Sequence, residues 1–488
     1  MNQINAVLKE SQKAFKTYKN TSGKQKAAFL RAIATEIDAL GDQLIQTASR
    51  ESNLPLGRFM GERGRTTGQL RLFADYLEEG SWVDATIDTA QPERQPIPKV
   101  DLRKMLVPIG PTVVFGASNF PLAFSTAGGD TASALASGCP VVVKAHPAHP
   151  ETSRLVALAI EKAAHRTKMP KGVFAHIEGG IEVGTALTKH PSVKAVAFTG
   201  SFFAGKALFD LANKRKQPIP VFAEMGSINP TFLFENALVL RGESLAAQLA
   251  DSVTLGVGQF CTNPGLIIGV ESAAFNTFLT QFKEKMQAKS PTPMLHQGIA
   301  NNFKKGVELV EKQEDVTVSS VPKSQNTLDG NPAVGVVDGA VFLKNKTLHH
   351  EVFGPFSLVV KCKDKGEMKR IVEKLEGQLT ATLIAEPDDL KQNKGLIADI
   401  SEKCGRIMTN NVPTGVEVTH AMQHGGPFPS TTDSRFTSVG TSAILRFVRP
   451  LCYQNFDDNF LPDVLKNNNP LNIWRKVNGQ LTKDKING

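Results

Sequence analysis

The chain has 488 residues, 41% of them hydrophobic and 21% charged, and its 56 basic against 47 acidic side chains give a formal charge of +9. That length exceeds one ordinary core and suggests roughly three domain-sized units. The charges are dispersed, which argues against nucleic acid as a partner and leaves a mild field that favours anionic small molecules.

No apolar run approaches the ~20 residues of a membrane span. Cys139, Cys261, Cys362, Cys404 and Cys452 are scattered without metal-ligand or disulfide spacing, so neither framework is expected. The opening MNQINAVLKE is polar and carries no apolar secretory segment; a cytoplasmic protein is the expectation.

Residues 1–90 read as helices, with NAVLKESQKAFKTY and GKQKAAFLRAIATEIDALGDQLIQTAS repeating apolar positions at three and four. After a polar, proline-containing stretch an alternation begins. TVVFGA (112–117) and VVVK (141–144) read as strands, and PLAFSTAGGDTASALASG (121–138) between them reads as one helix ending at Gly138. PETSRLVALAIEKAA (150–164), GVFAHIEG (172–179), EVGTALTKH (182–190) and VKAVAFTGS (193–201) continue the pattern, and FAGKALFDLANKR and IPVFAEMG complete it. Apolar strands separated by amphipathic helices indicate a parallel sheet covered on both faces, with ligands bound beyond the carboxyl ends of the strands. A second α/β set starts near 231 with TFLF, a helix around 243–258, GLIIGV and a helix around 272–287, and runs to about 420. ANKRKQ (212–217) is the densest basic patch and reads as a solvated helix end.

Several strand ends carry candidate chemistry. FGASNFP places Asn119 just past a strand, either as an amide donor to a developing oxyanion or as a turn residue. FTGS with Gly200, Ser201 and Gly205 is either a glycine turn whose helix amides face a phosphate or an ordinary αβ turn. FAEMG delivers Glu224 to a strand end, where a carboxylate is a candidate base or a hydrogen-bonded structural group. HHEVFGPF places Glu351 and Phe353 before a Gly-Pro turn, and GQFCTNPG holds Cys261, a candidate thiol nucleophile.

SNFP, VVVK, FTGS followed by Gly205, AEMG, GQFC and EVFGP, in this order, resemble the NAD(P)-dependent aldehyde dehydrogenase superfamily over essentially the whole chain. The resemblance implies that Cys261 is the nucleophile, Asn119 the oxyanion donor and Glu224 the base that activates water. It implies that Gly200, Ser201 and Gly205 face the pyrophosphate, that Glu351 and Phe353 meet the nicotinamide ribose, and that Lys144 lies near the adenosine ribose. Many NAD-using relatives carry an acid three residues after that lysine; here KAHPAHP puts Pro147 there, so a 2′-phosphate meets no repulsion, with Lys144 and His146 available to attract it. NADP is therefore the expected cofactor, with NAD as second choice, and no metal is expected.

Ser118 replaces a common family tryptophan, and HGGPFPSTTDSRFTSVGTSAILRFVRPLCYQ (424–454) replaces the usual late segment. These departures resemble the 2-oxoglutarate semialdehyde (2,5-dioxopentanoate) dehydrogenase branch and the NADP-linked fatty-aldehyde enzymes similar to it. Arg435 is a candidate for the substrate carboxylate, while Phe120, Phe124, Phe260 and Phe428 are candidates for an apolar funnel. The fold implied is α/β, aldehyde dehydrogenase-like. A Rossmann-type cofactor domain would take 1–99 and 111–226, with 425–445 able to return to it. An α/β catalytic domain would span 227–424, and a small β oligomerisation element would join 100–110 to 446–488, making a homodimer or homotetramer. Readings of another class are a catalytically silent relative and, within the enzyme class, an acylating reductase that uses CoA.

Overall fold

Four helices open the chain: Asn2–Tyr18, Gly23–Ala39, Gly41–Ser52 and Leu56–Glu79. The computed structural model describes residues 2–486. The second helix starts in a reciprocal cap in which the Ser22 side chain accepts from the Gln25 amide and the Gln25 side chain from the Ser22 amide. The long apolar run that follows is divided at Gly41, whose φ of +53° the intervening turn requires. The fourth helix closes at Gly80 in the left-handed conformation. Phe29, Phe59 and Phe73 are fully buried where these helices pack on one another.

The first sheet is parallel throughout, in the order Phe174–Ile177, Val141–Lys144, Thr112–Phe115, Ala195–Thr199, Val221–Glu224. The strand order reverses between Thr112–Phe115 and Ala195–Thr199, which opens a crevice at the carboxyl edge. Phe115 pairs with Lys144 and Phe198, and Thr199 pairs with Glu224, so Lys144 and Glu224 flank that crevice.

The helix expected over 121–138 is shorter than its pattern: it runs from Gly129 to Ser137. The backbone amides of Leu122 and Ala123 instead donate to Glu62 Oε1, each at 2.9 Å. A Cβ on Gly128 would sit 2.4 Å from the Ala123 carbonyl, so the turn before the helix needs glycine there. The helix expected around 243–258 spans Glu235–Thr254, because Gly256 and Val257 take left-handed conformations and end it early.

A second sheet has seven strands in the order Thr317–Ser320, Ala333–Asp338, Phe356–Cys362, Leu266–Val270, Thr231–Leu233, Gln378–Ile384, Cys404–Thr409. All its pairings are parallel except that of the first strand. Residues 430–432 return to the first sheet: Met225 N donates to Ser430 O and Thr432 N to Ala223 O.

A third sheet pairs Leu102–Pro108 with Val448–Gln454 antiparallel. Thr86–Asp88, assigned from sequence to the cofactor domain, belongs to this sheet, paired with Leu102–Lys104 on one side and Lys476–Val477 on the other. Val448–Gln454 is an edge strand with alternating exposure.

Candidate active site

The nucleophile loop is shaped by what precedes it. Val257 holds φ +59°, a costly conformation for a β-branched residue, of order 1–3 kcal/mol. Gly258, also left-handed, is so close to the Gly354 carbonyl that a Cβ would lie 2.2 Å from it. The loop bearing Cys261 is thereby held against the loop bearing Glu351 and Phe353, and the Asn263 side chain donates to Gly354 O at 3.1 Å. Asn229, buried and unanticipated from sequence, donates from Nδ2 to the carbonyls of Cys261 and Asn263, each at 2.9 Å. That anchor fixes the peptide plane beside the thiol.

Cys261 is half-buried, whereas Cys139 and Cys362 are buried. Its Sγ lies 3.5 Å from His424 Nε2, and that same nitrogen lies 3.0 Å from Glu224 Oε1. Glu224 Oε2 accepts from Ser438 Oγ at 2.6 Å. Burial by itself pushes Glu224 upward, but the charge and hydrogen bond of His424, with Ser438 and the Cys261 thiol, hold its carboxyl below the ordinary range. An ionised Glu224 requires His424 Nε2 to carry its proton and donate it. Burial, then the Glu224 charge, push the Cys261 thiol well above its usual value. Donor atoms of Glu224, Cys261 and His424 all lie within 4.8 Å of one another, a set that could also ligate a thiophilic cation.

Asn119 Nδ2 donates to Gln259 O at 3.1 Å, which ties it to the nucleophile loop and leaves its second N–H free for another acceptor. Behind Glu224 and His424 lies a cavity of about 20 Å³, also lined by Thr437, Ser438 and Arg446. That is room for a single water. His424 and Ser438 were missed because a lone histidine in HGGPFP and a serine in TSVG carry no signal until the chain brings them beside Glu224.

On the cofactor side, Ser201 caps the helix Phe202–Asn213, accepting from Ala204 N at 3.4 Å. Gly200 and Gly205 are glycine for packing: a Cβ would meet Phe198 at 2.6 Å and Met225 at 2.7 Å. Glu351 is reached by solvent yet lies deep between loops, its Oε2 2.5 Å from where a Gly226 Cβ would be. The cleft walls push its carboxyl upward, less than complete enclosure would because water still reaches it. Phe353 lies beside it, half-buried. A helix amino terminus, a half-buried Lys144 that feels the Glu182 charge, and the accessible carboxylate of Glu351 suit an extended anionic dinucleotide with two riboses.

One expectation about this side needs correction. His146 is no cation for a 2′-phosphate: its Nδ1 accepts from Ala148 N at 3.1 Å, and its ring stacks on His149 with centroids 5.6 Å apart. Burial, then the neighbouring His149, His296 and Lys144, press its pKa down to about 3, so it is neutral. Pro147, where many relatives carry an acid, is exposed, and Lys144 feels the charge of Glu182.

Phe120, Phe124 and Phe260 come together, with ring centroids 5.3 Å (Phe120–Phe124) and 5.4 Å (Phe120–Phe260) apart. Phe428 does not join them; it is exposed and packs at 6.1 Å on Phe202 at the cofactor side. Arg435 also lies apart from them: its side chain is 79% exposed, and Nε and Nη2 bond Asp433 at 2.8 and 2.5 Å, so the nearby carboxylate takes the role expected for substrate.

A thiol, a buried carboxylate and an amide donor gathered beside a crevice at the carboxyl edge of a parallel sheet are the parts of a dehydrogenase site. The chain belongs to the aldehyde dehydrogenase family, whose pattern it matches over residues 1–448, and is an aldehyde-oxidising oxidoreductase dependent on NAD(P). It is 49% identical to the alpha-ketoglutaric semialdehyde dehydrogenase of Acinetobacter baylyi over 486 residues, 99% of this chain and 92% of that protein. It is 51% identical to alpha-ketoglutaric semialdehyde dehydrogenase 2 of Azospirillum brasilense over 469 residues, 96% of this chain and 89% of that protein. Among solved structures it shares the fold of Thermus thermophilus 1-pyrroline-5-carboxylate dehydrogenase (TM-score 0.79, 20% identity, 93% of this chain and 86% of that one). The fold is shared equally with 3,6-anhydro-L-galactose dehydrogenase in complex with NAP (TM-score 0.77, 22% identity, 93% and 91% covered). No helix among the described residues is long and apolar enough to cross a membrane.

Proposed function

We propose that the protein oxidises 2,5-dioxopentanoate to 2-oxoglutarate through a thioester on Cys261, with reduction of a bound nicotinamide dinucleotide. The convergence of Cys261, Glu224 and Asn119 at one point carries the chemistry; the two relatives near 50% identity supply the substrate.

Glu224 takes the thiol proton, and Sγ attacks the aldehyde carbon. The oxygen that becomes negative is held by the free N–H of Asn119 and the backbone N–H of Cys261. The dinucleotide, when bound, accepts the hydride. Glu224, once it has passed the thiol proton to solvent, takes a proton from the water that attacks the thioester carbonyl; the acid leaves, and the departing sulfur recovers that proton. His424 and Ser438 hold the carboxylate in place through both turns. The presence of Glu224 supports a free acid rather than a CoA ester as product.

For the dinucleotide, Pro147 and Lys144 support NADP, and Glu182 supports NAD through a ribose hydroxyl. The reading that accommodates both is dual use, with Glu182 restraining NADP. For assembly, the open edge strand Val448–Gln454 beside exposed Phe456 and Phe460 supports pairing with a second copy. The cytoplasm remains the proposed location.

The test is initial rates of NAD and NADP reduction with 2,5-dioxopentanoate and with a long-chain aldehyde, using Cys261→Ala as blank. Preference for the keto acid, lost in the variant, supports the proposal. Preference for the fatty aldehyde overturns the substrate, and no rate with either supports a silent relative.

A further inference from the structure

The helix Leu56–Glu79 presents Arg58, Glu62 and Arg65 on one face, at i, i+4 and i+7. Glu62 is buried and already faces a cation: Oε1 accepts from Leu122 N and Ala123 N, while Oε2 lies 3.3 Å from Arg58 Nη2 without a hydrogen bond. Arg58 is engaged as well, donating to Asn119 O at 3.3 Å with its guanidinium 4.2 Å from the Phe120 ring centre and 5.0 Å from that of Phe260.

Arg65 is different. Its guanidinium lies 4.9 Å from the Phe124 ring centre, and that ring is 6.0 Å from His424, which touches both Cys261 and Glu224. Nη1 and Nη2 are both buried, and neither has an acceptor among the described residues. Arg406, the other arginine whose charge is felt at Cys261, spends its Nη1 and Nη2 on the carbonyls of Pro413 and Gly415. A planar fork with two buried, unanswered donors is costly unless an acceptor arrives, and the acceptor that matches its geometry is a carboxylate.

We propose that Arg65 binds the remote carboxylate of the aldehyde substrate, stacked on Phe124 and aimed at the chamber in which Cys261 meets the aldehyde. This rests on the reading that the substrate is a carboxylated semialdehyde and assigns the residue that selects it. Four bonds separate the carboxylate carbon of 2,5-dioxopentanoate from its aldehyde carbon, a span that keeps the two ends near one another, as are Arg65 and Cys261, each of which feels the other's charge. Burial presses Arg65 downward, with Glu62, Cys261 and Glu224 opposing, and an arriving carboxylate adds a further stabilising charge. Phe120, Phe124 and Phe260 then serve as walls for the methylene carbons, and the cation at their far end disfavours a long alkyl tail.

The experiment compares wild type, Arg65→Lys and Arg65→Met on three five-carbon aldehydes: 2,5-dioxopentanoate, 5-oxopentanoate and pentanal. The expected result is a loss of about 100-fold in kcat/KM on both acids in Arg65→Met, mostly in KM, with pentanal changed less than about threefold. Arg65→Lys recovers part of it, since it keeps charge but not the fork. Glutarate should inhibit wild-type pentanal oxidation competitively, a readout that stands even if Arg65→Met fails to fold. Equal losses on pentanal and the acids in a folded variant, or no inhibition by glutarate, would overturn the assignment. Wild type that favours 5-oxopentanoate over 2,5-dioxopentanoate would sink the keto-acid reading alone and leave Arg65 in place.

Discussion

His424 Nε2 lies 3.0 Å from Glu224 Oε1, though the two residues are 200 positions apart in the chain. Both are nearly inaccessible, with side chains 1% and 3% exposed, so this hydrogen bond decides the state of a carboxylate that burial alone would protonate.

Replacing His424 with Gln removes the charge and weakens the bond that offset burial, so the Glu224 carboxyl rises. Activity should then disappear as pH falls through that raised value, whereas the wild-type base stays ionised there. A fall of about 100-fold in kcat at neutral pH, in the range of a lost general base, is expected, with dinucleotide KM unchanged. A pH–rate profile with an unmoved acid limb would place His424 outside the base's control.

Burial and Glu224 raise the Cys261 thiol well above the ordinary 9.0, so it carries its proton at neutral pH. Alkylation by iodoacetamide should accelerate with rising pH, without levelling where free cysteine does. In Glu224→Gln the neighbouring charge is gone, so the inflection should move to lower pH. At a pH high enough to ionise the thiol without Glu224, the same variant, unable to activate water, should release one equivalent of reduced dinucleotide and then stall as a thioester detectable by mass. Full steady-state turnover in Glu224→Gln would assign the base elsewhere.

Glu182 is exposed, with its carboxylate accepting from Gly180 N at 3.0 Å beside the carboxyl edge that holds Lys144. Glu182→Gln should raise kcat/KM for NADP relative to NAD by about tenfold through removal of one like-charge contact with the 2′-phosphate. An unchanged ratio would mean that the 2′ position of the ribose lies beyond its reach.

Arg446 ties the late segment to the helix Gly129–Ser137 through Asp130 (2.7 Å) and Ser133 (3.2 Å), with its side chain 3% exposed. Arg446→Met leaves the Asp130 charge buried and unpaired, a loss of about 3–5 kcal/mol. Urea unfolding midpoints should fall accordingly, and Asp130→Asn added to it should recover part of the loss. Equal midpoints would show that water reaches Asp130.

Local pattern was a reliable guide wherever one element suffices. The parallel sheet was legible because its strands, VVVK and AVAFT among them, are apolar on both faces, and the helices between them alternate at the helical period. Motif wording singled out Cys261, Glu224 and Asn119, which the fold brings to one place. Pattern misled at 121–128, where the Leu122 and Ala123 amides are held by Glu62 from another element and the chain turns at Gly128 before the helix begins. It also misled at His146, whose apparent availability as a cation vanishes once His149 and His296 pack against it.

By itself, then, the amino-acid sequence determined the family and the architecture and singled out the groups proposed to react, because these reside in short contiguous stretches whose periodicity and wording survive without a partner. Only the tertiary structure decided which charges are spent and which are open. Arg435 is answered by Asp433 two residues away, and Arg65 by no acceptor among the described residues; His424 controls Glu224 across 200 positions. Charge state and unsatisfied hydrogen bonding depend on burial and on neighbours distant in the chain, and those quantities exist only after folding.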